Sequence, residues 1–292
     1  MEINIEELRK KYQLSDVEFA KNAQAIFNEL SLLTNKSENP KFIIVGGQAG
    51  AGKSDLVAKK YQELNGNAII IDQDELRTKY PQPAYQEITS TYNDRTEFLI
   101  LNPYIAEMIK SLVSTSREKG YNVIIESALQ DVEAFLHYTE EFNNAGYTSE
   151  VAVLSVPELE GNISMLYRYC TYLEKDGFCR RNTRINPNAK VNMRKNIQKM
   201  DALGIYDNIE IYTRNPDRSK LPDKIYEKKT HIAETPIEAF ERGQRISMKE
   251  TIKNFERKYE YIKNILQRYN ETDKLQTLEN LYQQYLTLDE RE

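Results

Sequence analysis

Apolar residues occur along this chain in two alternating patterns, short continuous runs and longer stretches with helical spacing. The run at residues 42–45 predicts a strand that is buried on both faces, and residues 54–64 after it have the periodicity of an amphipathic helix. Further strands are predicted at residues 67–71, 121–125, 150–156 and 209–213, with a short sixth at 224–226. Strands that alternate with helices predict an α/β fold, a three-layer P-loop NTPase sandwich around a mostly parallel sheet of five or six strands.

Helices are predicted between these strands and at both ends of the chain. Those between strands are expected at residues 103–119, 132–145 and 159–174, followed by a polar, arginine-rich turn at 175–195 and a further helix. The first forty residues are predicted to be helical, and the capping-box residues Ser15 and Glu18 open one apolar run. Its apolar positions are Val17, Ala20, Ala23, Phe27, Leu30 and Leu33. We expect this run to pack on the domain that follows it.

The last fifty residues change character and predict a helical hairpin. Two apolar series with helical spacing carry this prediction: Met248, Ile252, Phe255, Tyr259, Ile262, Leu266 and Tyr269, and then Leu275, Leu278, Tyr282 and Tyr285. We therefore predict a main domain at residues 1–240 and a helical extension at 241–292. Amphipathic stripes usually face a core, so packing on the chain's own domain is favoured, and a surface for a partner protein is the alternative.

The loop after the first predicted strand has the strongest chemical signature, in the sequence KFIIVGGQAGAGKS. Its spacing fits a phosphate-binding P-loop, in which backbone amides cradle phosphates, the lysine reaches the β- and γ-phosphates and the serine ligates Mg²⁺. The predicted binding residues are Gly47, Gln48, Ala49, Gly50, Ala51, Gly52, Lys53 and Ser54. A glycine turn without a ligand is the alternative, but the strand before the loop and the helix after it favour nucleotide binding.

Composition narrows the class of protein. The chain has 292 residues, 40% of them hydrophobic, and can bury a full core. Its net charge of -5 disfavours a general nucleic-acid-binding protein. No apolar run approaches the ~18 residues of a membrane span and the N-terminus is acidic, so we expect a cytoplasmic protein without membrane contact. The two cysteines and two histidines lack metal-ligand spacing, which disfavours a zinc site.

Carboxylates follow the second and third predicted strands, at the edge where parallel sheets bind ligands. Asp72 and Asp74 come after the strand at 67–71, and Glu126 ends the strand at 121–125. We predict that Asp74 orients an attacking hydroxyl as its base, since it lies two residues past the strand end. Helix capping is the alternative for Asp74 and the favoured role for Asp72. Glu126 is predicted to face Mg²⁺ or substrate, with a solvent-facing strand terminus as the alternative.

Arginines are concentrated beyond the fourth predicted strand, although the chain as a whole is acidic. They are Arg168, Arg180, Arg181 and Arg184, joined by Lys190, Arg194 and Lys195. The guanidinium fork suits phosphate oxygens, so arginines here are candidates to stabilise a phosphoryl group in transfer. For the outlying lysines, a solvated helix face is the favoured interpretation.

In order and spacing, these motifs resemble those of the zeta toxin family, the PezT-like kinases of bacterial toxin–antitoxin systems. The resemblance covers about residues 42–213 and rests on GGQAGAGKS, IIIDQDELRTKYP, GYNVIIES, AVLSVPELE, and Arg168 followed thirteen residues later by Arg181. Members of that family use ATP or GTP and Mg²⁺ to phosphorylate the 3′-hydroxyl of the N-acetylglucosamine unit in UDP-N-acetylglucosamine, which inhibits cell-wall synthesis. A small helical antitoxin blocks their nucleotide site.

The resemblance implies a UDP-N-acetylglucosamine kinase and assigns roles to single residues. The implied catalytic residues are Lys53, Asp74, Arg168 and Arg181, the implied substrate contacts are Asp74, Glu107 and Glu126, and Ser54 is the implied Mg²⁺ ligand. Arg184 is an alternative to Arg181. A nucleoside triphosphate, a UDP-sugar and a small helical antitoxin are the implied partners.

One segment departs from the family pattern. After the carboxylate at 126 the family commonly has Gly-Thr-Gly-Arg, whereas this chain has Ser127, Ala128, Leu129 and Gln130. The missing hydroxyl and cation leave open a kinase with another hydroxyl acceptor, such as a nucleoside, an antibiotic or a different nucleotide. A nucleotide-dependent binding module that works through the C-terminal hairpin is a further alternative.

Overall fold

The computed structural model describes residues 4–130, 132–177, 179, 185–186, 188–217 and 219–289. Six strands form one sheet: β1 (Lys41–Gly46), β2 (Ile69–Ile71), β3 (Val123–Ser127), β4 (Thr148–Leu154), β5 (Asn208–Thr213) and β6 (Asp223–Glu227). Their order is β2-β3-β1-β4-β5-β6, with only the β5–β6 pair antiparallel. The mostly parallel six-stranded sheet is confirmed. Because β1 is central, the loop after it opens at the middle of the ligand-binding edge.

Helices cover both faces of the sheet. They are α1 (Ile5–Lys11), α2 (Asp16–Leu30), α3 (Lys53–Glu63), α4 (Gln73–Thr78), α5 (Ala84–Thr91), α6 (Asp94–Lys119), α7 (Glu133–Asn144), α8 (Glu158–Asp176), α9 (Ala189–Leu203), α10 (Pro236–Arg268) and α11 (Thr272–Asp289). Phe42 and Ile44 of β1 join the core formed with α2, α6, α7 and α9, while Ile43 and Val45 pack with α3 on the opposite face. This alternation gives the three predicted layers. No helix in the described part of the chain is both long and apolar enough to cross a membrane.

The N-terminal helix α2 confirms the predicted capping box, since Ser15 and Glu18 each accept a hydrogen bond from the other's backbone amide. Ala23 and Phe27 are buried as predicted. Ala20 is exposed, and so are Val17 and Leu33, whose exposed fractions are 78% and 81%. Leu33 lies beyond the end of α2, so the helical spacing that placed it on the buried face no longer applies there.

The helix before β3 begins earlier than predicted. Asn93 caps α6 by accepting a hydrogen bond from the Thr96 amide, and the helix continues through Pro103. Ile100 and Leu101 are buried in the first turns of α6, whereas Pro103 is on its exposed side. Burial of these apolar side chains therefore outweighs the local preference of proline to end or begin a helix.

Two other predicted boundaries were wrong. Glu126 lies inside β3, paired with Val45 of β1, and the strand ends one residue later at Ser127. The predicted turn at 175–195 is shorter, because α9 already begins at Ala189 and therefore contains Lys190, Arg194 and Lys195. Its polar residues form the outer face of an amphipathic helix that buries Met193 and Ile197. The predicted arginines Arg180, Arg181 and Arg184 lie outside the described residues.

The C-terminal hairpin consists of α10 and α11, and it packs against α8 in a separate apolar core. The rings of Phe255 and Tyr285 stack with centroids 4.5 Å apart, as do those of Tyr259 and Tyr282. The favoured prediction, packing on the chain's own domain, is confirmed for this stripe. The predicted boundary after residue 240 falls within α10, whose Phe240 belongs to the core of the sheet.

Candidate active site

The glycine-rich loop connects β1 to α3 and has the backbone of an anion-binding turn. Gly50 and Gly52 have φ values of 72° and 87°, in the left-handed region that glycine adopts without a steric penalty. Gly52 is the N-cap of α3, and no side-chain hydrogen bond caps this helix. The amides of the first turn are therefore not used by a capping side chain, and the positive end of the helix dipole faces the loop.

Close contacts with α8 fix the outer side of the loop. A Cβ atom on Gly50 would lie 2.0 Å from the carbonyl oxygen of Gly161, and one on Gly161 would lie 2.3 Å from Nε2 of Gln48. Gln48 in turn donates a 2.9 Å hydrogen bond from Nε2 to the carbonyl of Pro157. Only glycine permits this approach of loop and helix, and it is a constraint that the loop motif alone did not reveal.

The side chains of Lys53 and Glu126 lie next to each other at the glycine-rich loop. Lys53 Nζ lies 3.6 Å from Glu126 Oε1 and donates a 3.4 Å hydrogen bond to the carbonyl of Gln48. Burial raises the pKa of the Glu126 carboxyl, Lys53 opposes this shift, and the nearby charges of Asp72 and Asp74 add to it. Three predicted carboxylates and the loop lysine are therefore brought together. Among the described residues, no group of three or more His, Cys, Asp or Glu side chains is arranged to hold a metal ion.

The two aspartates after β2 have different local roles. Asp72 is the N-cap of α4, where its carboxylate accepts a 2.8 Å hydrogen bond from the amide of Asp74, as predicted. Asp74 lies in the first turn of α4, its side chain is 57% exposed, and its Oδ1 is 3.3 Å from Nη2 of Arg77. The carboxylate of Asp74 therefore does not provide the cap and faces solvent next to the site. Its role as a base stays a prediction.

The remaining predicted site residues are distributed over several elements. Ser54 is exposed in the first turn of α3, and Arg168 is half-buried on α8. Glu107 is exposed on α6 near Tyr138 of α7, whose pKa is raised mainly by burial and also by Glu141 and Glu107. Arg181 lies outside the described residues. The contact of Glu107 with a sugar nucleotide stays a prediction.

The segment that departs from the family pattern is bound to α9. Leu129 has a φ of 51° and is fully buried against Gly46, while its carbonyl accepts a 2.7 Å hydrogen bond from Asn196 Nδ2. Gln130 donates from Nε2 to the carbonyl of Ala189, 3.2 Å away, and accepts from Asn186 and Asn192. The side-chain amide of Gln130 is thus hydrogen-bonded to the first turn of α9 and to Asn186 just before it.

Residues that sequence reasoning missed lie at the other side of the loop. Arg214 follows β5 directly, and its Nε donates a 2.5 Å hydrogen bond to the carbonyl of Ala51. Its position after a parallel strand is the signal that would have identified it. A cleft of about 620 Å³ opens beside α3, and its lining includes Asp55, Tyr167, Arg214, Lys258 and Tyr261. The C-terminal helix α10 is therefore one wall of a cavity next to the loop.

Comparison with known proteins finds a solved structure of the same fold and curated proteins of similar sequence. A solved structure from the PezAT chromosomal toxin–antitoxin system of Streptococcus pneumoniae aligns with a TM-score of 0.74 and 23% identity, over 91% of this chain and all of that one. Toxin PezT of Streptococcus pneumoniae serotype 4 is 31% identical over 213 residues, which are 72% of this chain and 81% of PezT. Toxin zeta of Streptococcus pyogenes is 24% identical over 269 residues, 91% of this chain and 90% of that toxin.

The zeta toxin family model matches residues 24–227. This range contains the complete sheet, the glycine-rich loop, the carboxylates after β2 and in β3, and Arg214. The matched range ends before the C-terminal hairpin, which begins at Pro236. With more than half of its length matched and its site built from the matched elements, the chain belongs to the zeta toxin family.

Proposed function

We propose that this protein is a P-loop kinase that transfers the γ-phosphate of ATP or GTP to a hydroxyl group of a small molecule. The observation that carries the proposal is the half-buried pair of Lys53 and Glu126, 3.6 Å apart, at a glycine loop with Asp72 and Asp74 close by. Phosphoryl transfer requires cations on the phosphates and a carboxylate near the attacking hydroxyl. This combination supports an enzyme over a binding module, which has no need of a base beside its nucleotide.

The donor fits the side of the site formed by the loop and the cleft. Its phosphates would lie on the amides of residues 47–54 with Lys53 on the β- and γ-phosphates. Its nucleoside has room in the cleft beside Asp55 and Arg214, because about 620 Å³ lies within the range of small-molecule sites. The exposed hydroxyl of Ser54 and the carboxylates of Asp72 and Glu126 are hard oxygen donors that suit Mg²⁺. When bound, Mg²⁺ would neutralise charge on the β- and γ-phosphates.

The acceptor lies on the side of Asp74 in this proposal. Asp74 takes the proton of the attacking hydroxyl, the oxygen forms a bond to the γ-phosphorus, and the bond from that phosphorus to the β-phosphate oxygen breaks, releasing ADP or GDP. Arg168 and Arg181 stabilise the charge of the phosphoryl group in flight. The 3′-hydroxyl of the amino sugar in UDP-N-acetylglucosamine is the favoured acceptor, because the motifs around Lys53, Asp74 and Glu126 resemble those of zeta toxins. Glu107 and Glu126 would then contact the sugar nucleotide.

A different hydroxyl acceptor is the second candidate, and the contacts of Gln130 favour it. Glutamine is neutral, so Gln130 cannot supply the cation that family members commonly have nearby. Its side chain is also hydrogen-bonded to Ala189, Asn186 and Asn192. A site that lacks one charged donor discriminates differently among acceptors while its donor side is unchanged.

A small helical antitoxin is the proposed protein partner. The solved structure of similar fold comes from a toxin–antitoxin system, and the similar curated proteins are toxins. Occupation of the nucleotide cleft by such a partner would suppress transfer. Competition between the candidate antitoxin and ATP in a binding measurement tests this.

The test of the proposed reaction is transfer of labelled γ-phosphate from ATP, with Mg²⁺, to UDP-N-acetylglucosamine and to a panel of nucleosides, nucleotides and antibiotics. We expect Lys53→Met and Asp74→Asn to reduce transfer by about 10² to 10⁴-fold. The matched controls are Lys110→Met on the exposed side of α6 and Glu75→Gln, the neighbour of Asp74. Full transfer by Asp74→Asn would remove Asp74 as the base, and no transfer to any acceptor would contradict the proposed kinase.

A further inference from the structure

We propose that the C-terminal hairpin positions the P-loop through a chain of three charged side chains, the half-buried Lys258 on α10, the buried Glu160 on α8 and the half-buried Arg214 after β5. We refer to these residues as the Lys258–Glu160–Arg214 relay. Lys258 and Arg214 act in it as positioning residues, since they hold the loop and do not react. The inference rests on the proposed nucleotide site for its binding readout, and it adds a role for α10 that the family model does not cover.

Arg214 makes the contact with the loop. Its Nε donates to the carbonyl of Ala51 and its Nη2 to the carbonyl of Gly50, so two consecutive loop carbonyls are held by one planar fork. Successive amides of a phosphate-binding loop converge on the anion when their carbonyls are fixed on the outer side. Lysine has no such fork, so the residue type is specific for this task.

Glu160 orients the fork. Its Oε1 accepts a hydrogen bond from Nη1 of Arg214, and the side chain is only 4% exposed. A guanidinium that binds a buried carboxylate through one nitrogen and the loop through the other two has little rotational freedom left. Ser164, one turn further along α8, accepts from Nη1 at 3.5 Å and adds to this restriction.

Lys258 binds the same carboxylate oxygen of Glu160 as Arg214 does. Its Nζ lies 2.7 Å from the same Oε1 and 3.1 Å from Oγ of Ser164, and its side chain is 14% exposed. The position of Lys258 is set by the hairpin, because Phe255 and Tyr259 on the same helix stack on Tyr285 and Tyr282 of α11. Packing of the hairpin is thereby transmitted to the carbonyls of Gly50 and Ala51.

The arrangement is poorly explained as a device for stability. Glu160 is buried and its two partners are half-buried, so their charges lose contact with water at a cost, and well-packed apolar residues at such positions often stabilise a protein as well or better. The relay instead ends on the two carbonyls that shape the loop, and Arg214 and Lys258 also line the cleft beside α3. Its geometry therefore suits the preorganisation of a phosphate site.

The test compares Lys258→Met with Lys253→Met, an exposed lysine on the same helix, in the full chain. For Lys258→Met we expect about tenfold weaker binding of both tripolyphosphate and ATP, since hydrogen bonds to charged groups are of this strength. Amide hydrogen exchange at residues 47–53 should become faster. Lys258→Arg should restore both properties, and Lys253→Met should leave both unchanged. If Lys258 only stabilised the hairpin, a variant with an unchanged melting temperature would keep its phosphate affinity and its amide exchange at residues 47–53.

Unchanged loop exchange and tripolyphosphate affinity in a folded Lys258→Met protein would overturn the relay, and so would equal effects of Lys253→Met. If Lys258→Met does not fold, Lys258→Gln replaces it, since glutamine removes the charge and keeps a donor for Ser164. A wild-type protein that binds neither tripolyphosphate nor ATP would contradict the proposed function instead. In that case the exchange of residues 47–53 still decides on the relay.

Discussion

The proposed donor side and the proposed acceptor side of the candidate site are held by different kinds of contact. On the proposed donor side, the loop backbone packs against the backbone of α8, where Gly50 lies against Gly161. The guanidinium of Arg214 also binds the carbonyls of Gly50 and Ala51. On the acceptor side, neutral amides connect Gln130 and the Leu129 carbonyl to α9. Backbone packing leaves no room for substitution, whereas amide contacts can be exchanged individually. If the proposed assignment is correct, the difference gives a fixed donor site and an adaptable acceptor site.

The largest effect is expected from Gly50→Ala on the donor side. The new Cβ would lie 2.0 Å from the carbonyl oxygen of Gly161 at a φ of 72°, so the loop or α8 must move. We expect ATP affinity to fall by about 10²-fold or more, measured by calorimetric titration, because the loop amides lose their alignment.

Gly146→Ala is the matched control for this prediction. Gly146 has a similar φ of 83°, but a Cβ there would have no atom within 4 Å. Only the backbone penalty of roughly 1–2 kcal/mol should remain, with ATP affinity unchanged. Equal losses of ATP affinity in both variants would show that strain alone, and not the approach to α8, limits the loop.

An intermediate effect is expected from Gln130→Ala on the acceptor side. This change removes the hydrogen bonds to Ala189, Asn186 and Asn192 without touching the donor loop. We expect KM for the acceptor to rise about fivefold to tenfold and KM for ATP to stay constant, measured by steady-state kinetics with the acceptor found in the transfer assay. Gln283→Ala on the exposed side of α11 is the control. A change in KM for ATP instead would mean that the two sides are not separable.

The smallest effect is expected at Glu126, which lies between the two sides. We expect it to make the stability of the folded protein depend on pH. Its pKa is raised in the folded protein, mainly by burial, so the folded state binds more protons than the unfolded state between the unfolded value near 4.5 and the raised value. The ionised carboxylate therefore lowers stability as pH rises through this window. We expect Glu126→Gln to melt at a higher temperature than the wild type at neutral pH, with the difference vanishing below about pH 4.5.

The measurement for this prediction is the melting temperature of both proteins from pH 4 to pH 8. The comparison with Glu133→Gln, at the start of α7, controls for loss of a negative charge. A Glu126→Gln protein that is less stable at neutral pH would show that the attraction to Lys53 exceeds the cost of burial.

The sequence predicted those features that depend on local rules. The backbone of the glycine-rich loop was recognisable because it requires glycines at fixed spacing, and the Asp72 cap followed from a polar residue directly before a helical pattern. The start of α6 was missed because Pro103 suggested a helix start, although Asn93 offers the cap and Ile100 and Leu101 are buried after it. Local preference gave the wrong answer where packing between elements decided the boundary.

Long-range contacts account for the rest of what was missed. Arg214 reaches Ala51 across 163 positions of sequence, and Lys258 reaches Glu160 across 98, so no local pattern connects them. Glu126 was correctly placed at the sheet edge, but its position inside β3 depends on the pairing register with Val45. The pairing register depends on the neighbouring strands, so it cannot be predicted from the sequence of the third strand alone.

The contact between Lys258 and Glu160 also has a consequence for the time at which the protein becomes competent during synthesis. Lys53 is translated about 200 residues before Lys258, which corresponds to about 10 to 40 s at common elongation rates. During this interval the remaining strands of the sheet are added to the glycine loop, and only then is Lys258 on α10 synthesised. Under the proposed relay, the loop lacks this support until α10 has left the exit tunnel, so a binding-competent loop would form after most of the sheet has been synthesised.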